Sequence, residues 1–317
     1  MSLLGDFTKN LQSADIIALL VSGLDTPGDA WVSNMSMLVN SDKDSEKYSW
    51  LGTAPKLREW KGGRQPKTLR EINFTVPNKE FEATLEIPID WIRRDKTTMI
   101  VNRINQLVES ANNHDAELLS TLINGADTLL CYDGQYFFDT DHQEGDSPTQ
   151  SNSITYDSVS TTAPTAAEFE KALIAATKQI YSLQDDQGRP INASAKRFTI
   201  MIPLGFMEAA CTALGAAVLL EGGQARTNNV AAVGALMGVT YDLIINPRLT
   251  WTTKFAIFRN DAVMKPFVKQ VEVDTTVDAL AEGSEEEFKN KRHLYGVSRI
   301  MNFGCNDWKG AVLSTFV

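Results

Sequence analysis

Cysteine and histidine are nearly missing from this chain, with three of each in 317 residues. Cys131, Cys211 and Cys305 are widely spaced and odd in number. That implies no disulfide framework or cysteine metal knuckle, suits a reducing compartment, and leaves the three thiols reading as small buried residues. Long apolar runs are missing too: no stretch approaches the roughly 20 apolar residues of a membrane span. Only Lys9 precedes the short apolar run 16–21, so no secretion signal is expected, and the chain should be soluble before any assembly. Positive charge is in deficit, 30 Lys and Arg against 40 Asp and Glu, for a net charge of −10. Tight nucleic-acid binding relies on clustered cations that release counterions, and this balance argues against it. No glycine loop of the Gly-Lys-Thr kind occurs, and no cofactor is implied. Apolar residues are plentiful, however. A hydrophobic content of 43% with 9% aromatics suffices for a globular fold, and the length predicts two packed regions.

The strongest local pattern runs from 72 to 87. Ile72, Phe74 and Val76 share one face of a strand, and Phe81, Ala83, Leu85 and Ile87 alternate with Glu80, Glu82, Thr84 and Glu86 in the next. This period of two marks half-buried strands. Val76-Pro77-Asn78-Lys79 has turn chemistry, so the two strands are expected to pair as a hairpin. A lone hairpin is marginal in water, so its apolar face must lie on something, the chain's own core or another subunit.

Upstream, residues 1–47 hold a short amphipathic piece and then Gly23, Pro27 and Gly28. With little to bury by itself, this reads as an arm lying across neighbours. Downstream, Ile100, Ile104, Leu107, Val108, Ala111, Leu118, Leu119, Leu122 and Ile123 follow helical spacing, with Thr97 or Thr98 as cap and Asn124-Gly125 as stop. About 28 residues would span about 40 Å. The polar interruption Asn112-Asn113-His114-Asp115 is expected to face solvent or another subunit, as is His293. Residues 126–164 are loop-rich. Thr165 and Glu168 have capping-box spacing before a helix reaching about residue 183. A strand over 197–202 ends at Pro203, which opens an Ala-rich helix. Strands follow near 239–245, 255–259, 263–273 and 288–301. Helices and strands are segregated, which makes the class α+β.

The only dense set of potential metal ligands is Asp139, Asp141 and His142, with Asp133 nearby. Carboxylates and an imidazole at this spacing could hold a divalent cation that activates water, the chemistry of a metal-dependent hydrolase. Acidic residues are equally good turn formers, and no base or oxyanion constellation accompanies these. No metal and no catalysis are expected.

Several clusters of uncommon residues resemble one family. Tyr48-Ser49-Trp50-Leu51-Gly52, Leu57-Arg58-Glu59-Trp60, Gly63-Arg64 and Asn78-Lys79-Glu80-Phe81-Glu82 resemble the major head subunit of Mu-like tailed phages. So do Tyr132-Asp133-Gly134 leading to Phe137-Phe138-Asp139-Thr140-Asp141-His142, and Tyr295-Gly296-Val297-Ser298-Arg299 with Asn302-Phe303-Gly304. The similarity runs from about 48 to 310 and departs at Asp90-Trp91-Ile92-Arg93-Arg94-Asp95, where a more acidic stretch is expected.

The resemblance implies the HK97-like capsid fold: an N-terminal arm (1–54), an extended β-hairpin loop (55–88), a peripheral domain with a long spine helix (89–185) and an axial domain (186–254). Strands shared between the two domains would occupy 255–317. It implies a structural protein, not an enzyme, that assembles with itself into hexamers and pentamers of an icosahedral shell. That shell encloses double-stranded DNA without reading its sequence, in a virion capsid built in the host cytoplasm. Portal, scaffold, protease and decoration proteins are the implied partners, and no membrane is involved. A cargo compartment of the same fold would share every one of these architectural features.

For self-assembly the candidate interface residues are the aromatics Trp50, Trp60, Phe74 and Phe81 with Leu85, since buried aromatics dominate interfaces. Arg58, Arg64 and Lys67 make the approach to the hairpin basic, and Glu285, Glu286 and Glu287 make a late segment acidic. Opposite signs can fix the register between subunits, against the alternative of two solvated charge runs worth little each.

Overall fold

The computed structural model describes residues 13–24, 28–50, 72–94 and 96–317. The chain opens with helices α1 (Ser13–Leu24) and α2 (Ala30–Met35), then strands β1 (Ser36–Asn40), β2 (Ser45–Trp50), β3 (Ile72–Pro77) and β4 (Lys79–Pro88). A short α3 (Ile89–Arg93) leads into the spine helix α4 (Thr97–Asn124), whose 28 residues match the sequence expectation. Beyond the central loop come β5 (Ser153–Tyr156), α5 (Ala166–Ser182), β6 (Arg197–Ile202), α6 (Met207–Gly215), the hairpin β7 (Val218–Glu221) and β8 (Gln224–Thr227), and α7 (Asn229–Met237). The chain closes with β9 (Thr240–Ile245), β10 (Lys254–Arg259), β11 (Phe267–Leu280), α8 (Glu285–Asn290), β12 (Arg292–Cys305) and β13 (Ala311–Phe316).

Two sheets carry the architecture. One has the order β1-β11-β12-β4, the other β5-β13-β10-β6-β9. The spine helix serves both cores because its apolar stripe outlasts either one. Ile100, Ile104 and Val108 pack with Ile87, Tyr295 and Val297 of the first sheet. About two to four turns further on, Ala116, Leu119 and Ile123 join the larger core around α5 and the second sheet. Full burial of each such aliphatic side chain contributes about 1.5–3 kcal/mol. Helix α5 begins as its sequence predicts, with Thr165 and Glu168 closing a reciprocal capping box.

Three expectations change. The strands at 72–77 and 79–88 do not pair with each other. β3 pairs antiparallel with β2, Trp50 opposite Ile72 and Ser45 opposite Pro77, while β4 pairs with β12 from Met301–Lys79 to Arg292–Pro88. Alternation shows that a strand has one buried face but not which strand lies beside it. The ten-residue β4 finds partners along its whole length in β12, where six-residue β3 would have left it half paired.

The arm is not free either. Ile16 and Leu20 are fully buried against the spine helix and the first sheet. Ser13 anchors the start of α1, its Oγ 2.6 Å from Tyr295 Oη and its N–H donating to Glu282 at 3.3 Å. Gly28 permits the close approach, since a Cβ there would stand 2.4 Å from the Asn112 carbonyl oxygen. β1 then enters the first sheet beside β11.

The mid-helix polar residues, finally, are half-buried and find partners within the chain. Asn112 donates to Gly23 O at 3.1 Å, and Asp115 holds Lys269 at 2.5 Å and Arg299 at 2.8 Å. His293 is buried as well, at 3% exposure.

Candidate assembly site

The hairpin of β2 and β3 carries the segment 51–71, and its base is fixed by one residue. Asn78 sits at the corner where the chain leaves β3 for β4. Its backbone N–H donates to Asp44 O at 2.8 Å. Its side-chain amide donates to Lys43 O at 2.7 Å and to Glu272 Oε2 at 2.9 Å, with Ser41 Oγ at 3.2 Å, and its Oδ1 accepts from the buried Gln270 at 2.6 Å. Asn302 ties the neighbouring carbonyl of Pro77 at 2.7 Å. The corner read from sequence as a hairpin turn is therefore a clamp that sets the direction in which the β2–β3 hairpin leaves the first sheet.

Beside it, β4 divides its residues by face. Phe81 and Leu85 point inward: Phe81 meets the His114 ring edge-on at 4.4 Å, and Leu85 packs with the core of α1 and α4. His114 accepts from Arg299 at 2.5 Å, and burial first, then the Arg299 charge, lower its pKa below the usual value. Both apolar residues thus lie against their own chain. The opposite face exposes Glu80, Glu82 and Glu86. Glu82 stands opposite Ser298, and Asp278 lies across Gly296 from Thr84, so the outer surface of the sheet is acidic.

At the far end of β11 and β12, α8 gathers the predicted acidic run. Ser284 caps it by accepting from Glu287 N at 3.2 Å. Glu285 pairs with Lys289, and Glu286 accepts from Arg292 at 2.9 Å, the same arginine that holds Glu86. Glu287 accepts from Gly283 N at 2.5 Å and lies 3.5 Å from His293 Nε2. Much of this charge is answered within the chain. The surface feature that sequence reasoning missed there is Phe288, 89% exposed at the tip.

Of the other candidates, Trp50 and Phe74 lie in the backbone of the β2–β3 ladder, Phe74 opposite Tyr48. Arg58, Trp60, Arg64 and Lys67 lie outside the described residues.

The suspected metal ligands do not converge. His142 is fully buried and stacked on Trp308, ring centroids 3.9 Å apart and planes 7° from parallel. Its Nδ1 is 2.6 Å from Asp133 Oδ2 and its Nε2 is 3.2 Å from Asn152 Oδ1, which occupies both nitrogens. Asp139 accepts from the backbone of Thr140 and Tyr136 at 2.7 and 3.2 Å, while Asp141 is exposed. Among the described residues no group of three His, Cys, Asp or Glu side chains is arranged to hold a metal. Asp133, His142 and Asn152 bind one another within the central loop. Next to them Lys309 lies buried under the Tyr132 and Trp308 rings, donating to Tyr132 Oη at 2.6 Å and to Glu144 at 2.9 and 3.1 Å, with Asp307 at 3.2 Å. Burial opposes its charge, but the carboxylates of Asp307 and Glu144 outweigh it and hold the Lys309 pKa above the ordinary value. This network fastens the central loop to the turn before β13. No sequence signal marks Lys309, whose 144–309 separation hides the pair.

A sequence profile of the Mu-like prophage major head subunit gpT matches residues 21–169. The major capsid protein of Escherichia phage Mu is 34% identical over 110 residues, 35% of this chain and 36% of that protein. The Mu-like prophage FluMu major head subunit of Haemophilus influenzae is 33% identical over 113 residues, 36% of this chain and 37% of that protein. The matched stretch thus spans little more than a third of either relative. The procapsid of bacteriophage JBD30 superposes with a TM-score of 0.55 at 20% identity, covering 95% of this chain and 73% of that one. Over residues 21–169 the chain is similar in sequence to the Mu-like prophage major head subunit, and along nearly its whole length it has the HK97-like phage capsid fold.

Proposed function

We propose that this chain is a major capsid protein, a structural protein that assembles with itself into the hexamers and pentamers of an icosahedral phage head. The observation that carries the reading is the coincidence of a Mu head-subunit sequence over 21–169 with a capsid fold across the chain. The shell is built in the host cytoplasm, with portal, scaffold and protease partners, and becomes the virion capsid around double-stranded DNA. Its net charge of −10 suits a wall that DNA packs against and leaves freely.

In this reading the segment 51–71 on the β2–β3 hairpin is the reach between subunits. Arg58, Arg64 and Lys67 bring positive charge to the acidic outer sheet face of a neighbouring copy, at Glu80, Glu82 and Asp278, with Glu285, Glu286 and Glu287 extending that field. Trp50, Trp60 and Phe74 are the apolar anchors. The exposed charges act mainly on encounter and register, and the aromatics supply most of the affinity.

Light scattering during size-exclusion chromatography tests this. The unmodified protein elutes as rings or shells, and R58E/R64E/K67E shifts the mass toward monomer. E80K/E82K/D278K restores it when mixed with the loop variant. A protein that stays monomeric across salt and pH opposes the function. Unchanged assembly by the loop variant opposes only the docking.

A further inference from the structure

Two of the three cysteines are brought together by the fold. Cys131 lies in the central loop, where its N–H donates to Gln135 O at 2.7 Å, and Cys305 ends β12, opposite Phe267. Though 174 positions separate them, the Cys131 thiol reaches Asn306 O, the residue after Cys305, at 3.8 Å. Both sit at 5% and 3% exposure in one apolar core, which also holds the stacked rings of Phe137 and Phe267. Neither is bonded to the other, and the third cysteine, Cys211, is exposed on α6. Burial pushes the Cys131 thiol well up, and Cys305 adds to that shift.

We propose that Cys131 and Cys305 form a latent disulfide pair, closed by a two-electron oxidant of the peroxide class and tying the central loop to the base of the β11–β12 hairpin. One thiolate attacks hydrogen peroxide, breaking the O–O bond, to give a sulfenic acid and hydroxide. The second thiol attacks the sulfenyl sulfur, the S–S bond forms, and the hydroxyl leaves with the thiol proton as water. Each pair loses two electrons and two protons, and one peroxide becomes two waters. Because the thiolate is the nucleophile and both thiols are buried with raised pKa values, closure is slow in the native protein and speeds up as pH rises. The closed loop is long, so the bond constrains the unfolded chain strongly.

The test uses the full chain carrying Cys211→Ser, which removes the exposed thiol and touches neither partner. Treatment with millimolar hydrogen peroxide at pH 8, unfolding in an alkylating agent and peptide mapping without reductant should give one peptide pair joined through Cys131 and Cys305. The intact mass should fall by about 2 Da, and the melting temperature should rise by about 5–10 °C, reversed by dithiothreitol. A second protein, Cys211→Ser with Cys305→Ala, should show neither change. If both cysteines are recovered alkylated, or as separate sulfinic acids, while the protein stays folded by circular dichroism, the sulfurs do not meet and the inference is wrong.

Discussion

Breaking the buried pair of Lys309 and Glu144 should cost far more than breaking any surface ion pair. Lys309 is 1% exposed and Glu144 is 4% exposed, their charged atoms 2.9 Å apart. In Lys309→Met the ammonium goes while Glu144 and Asp307 keep their charges in a site with little water. Removing one partner of a buried pair typically costs about 3–5 kcal/mol, because the other is left uncompensated. In Glu144→Gln the ammonium keeps Asp307 at 3.2 Å and the amide can still accept from Tyr132 and Lys309, so about 2 kcal/mol is expected, within the range for a lost charge-assisted hydrogen bond. The double variant should fall well short of the sum, by roughly 2 kcal/mol, as groups in one network do. Urea unfolding of unassembled subunits, followed by tryptophan fluorescence and hydrogen exchange of the central loop, reads all four proteins. Additive losses, or a Lys309→Met cost under about 1 kcal/mol, would show that the pair is solvated and does not fasten the loop.

The lowered pKa of His114 gives a signed pH dependence. A depressed folded value means the stability is present above the unfolded value, near 6.5, and is lost as pH falls through the folded one. His114→Gln should flatten the urea midpoint between pH 7 and 5 relative to the unmodified chain, and an unchanged slope would remove His114 from the acid response. Asn78→Ala should cost about 1–3 kcal/mol, since it leaves Gln270, the Lys43 carbonyl and Glu272 each short of a partner. It should also misdirect the hairpin, seen as faster proteolysis within 51–71 and fewer closed particles. With a thiol-specific chromogenic reagent the native chain should release one equivalent quickly, from Cys211, and three after unfolding. Three fast equivalents would contradict the burial of the other two.

The sequence was most informative where a pattern is local. The 28-residue spine helix has an apolar stripe from Ile100 to Ile123, and the capping box at Thr165 and strand β6 rest on neighbours within a few positions. The family resemblance likewise rests on short residue clusters. Partner choice was not legible. β4 pairs with β12 from more than 200 positions away, and Phe81, singled out as an interface anchor, packs on His114 of its own spine helix. Polar residues misled for a related reason: Asn112, Asp115 and His293 look solvated in a sequence, and only the fold supplies Gly23, Lys269, Arg299 and Tyr295 beside them. Cys211 erred the other way, exposed where free cysteine is usually buried.

If copies of this chain enclose a volume, negative-stain electron microscopy of the purified protein, across a range of salt and pH and with any co-purifying scaffold, will show it. Hollow polyhedra of uniform diameter are expected, or hexameric and pentameric rings that close on concentration. A population of single particles the size of one or two subunits under every condition would refute self-assembly into a shell.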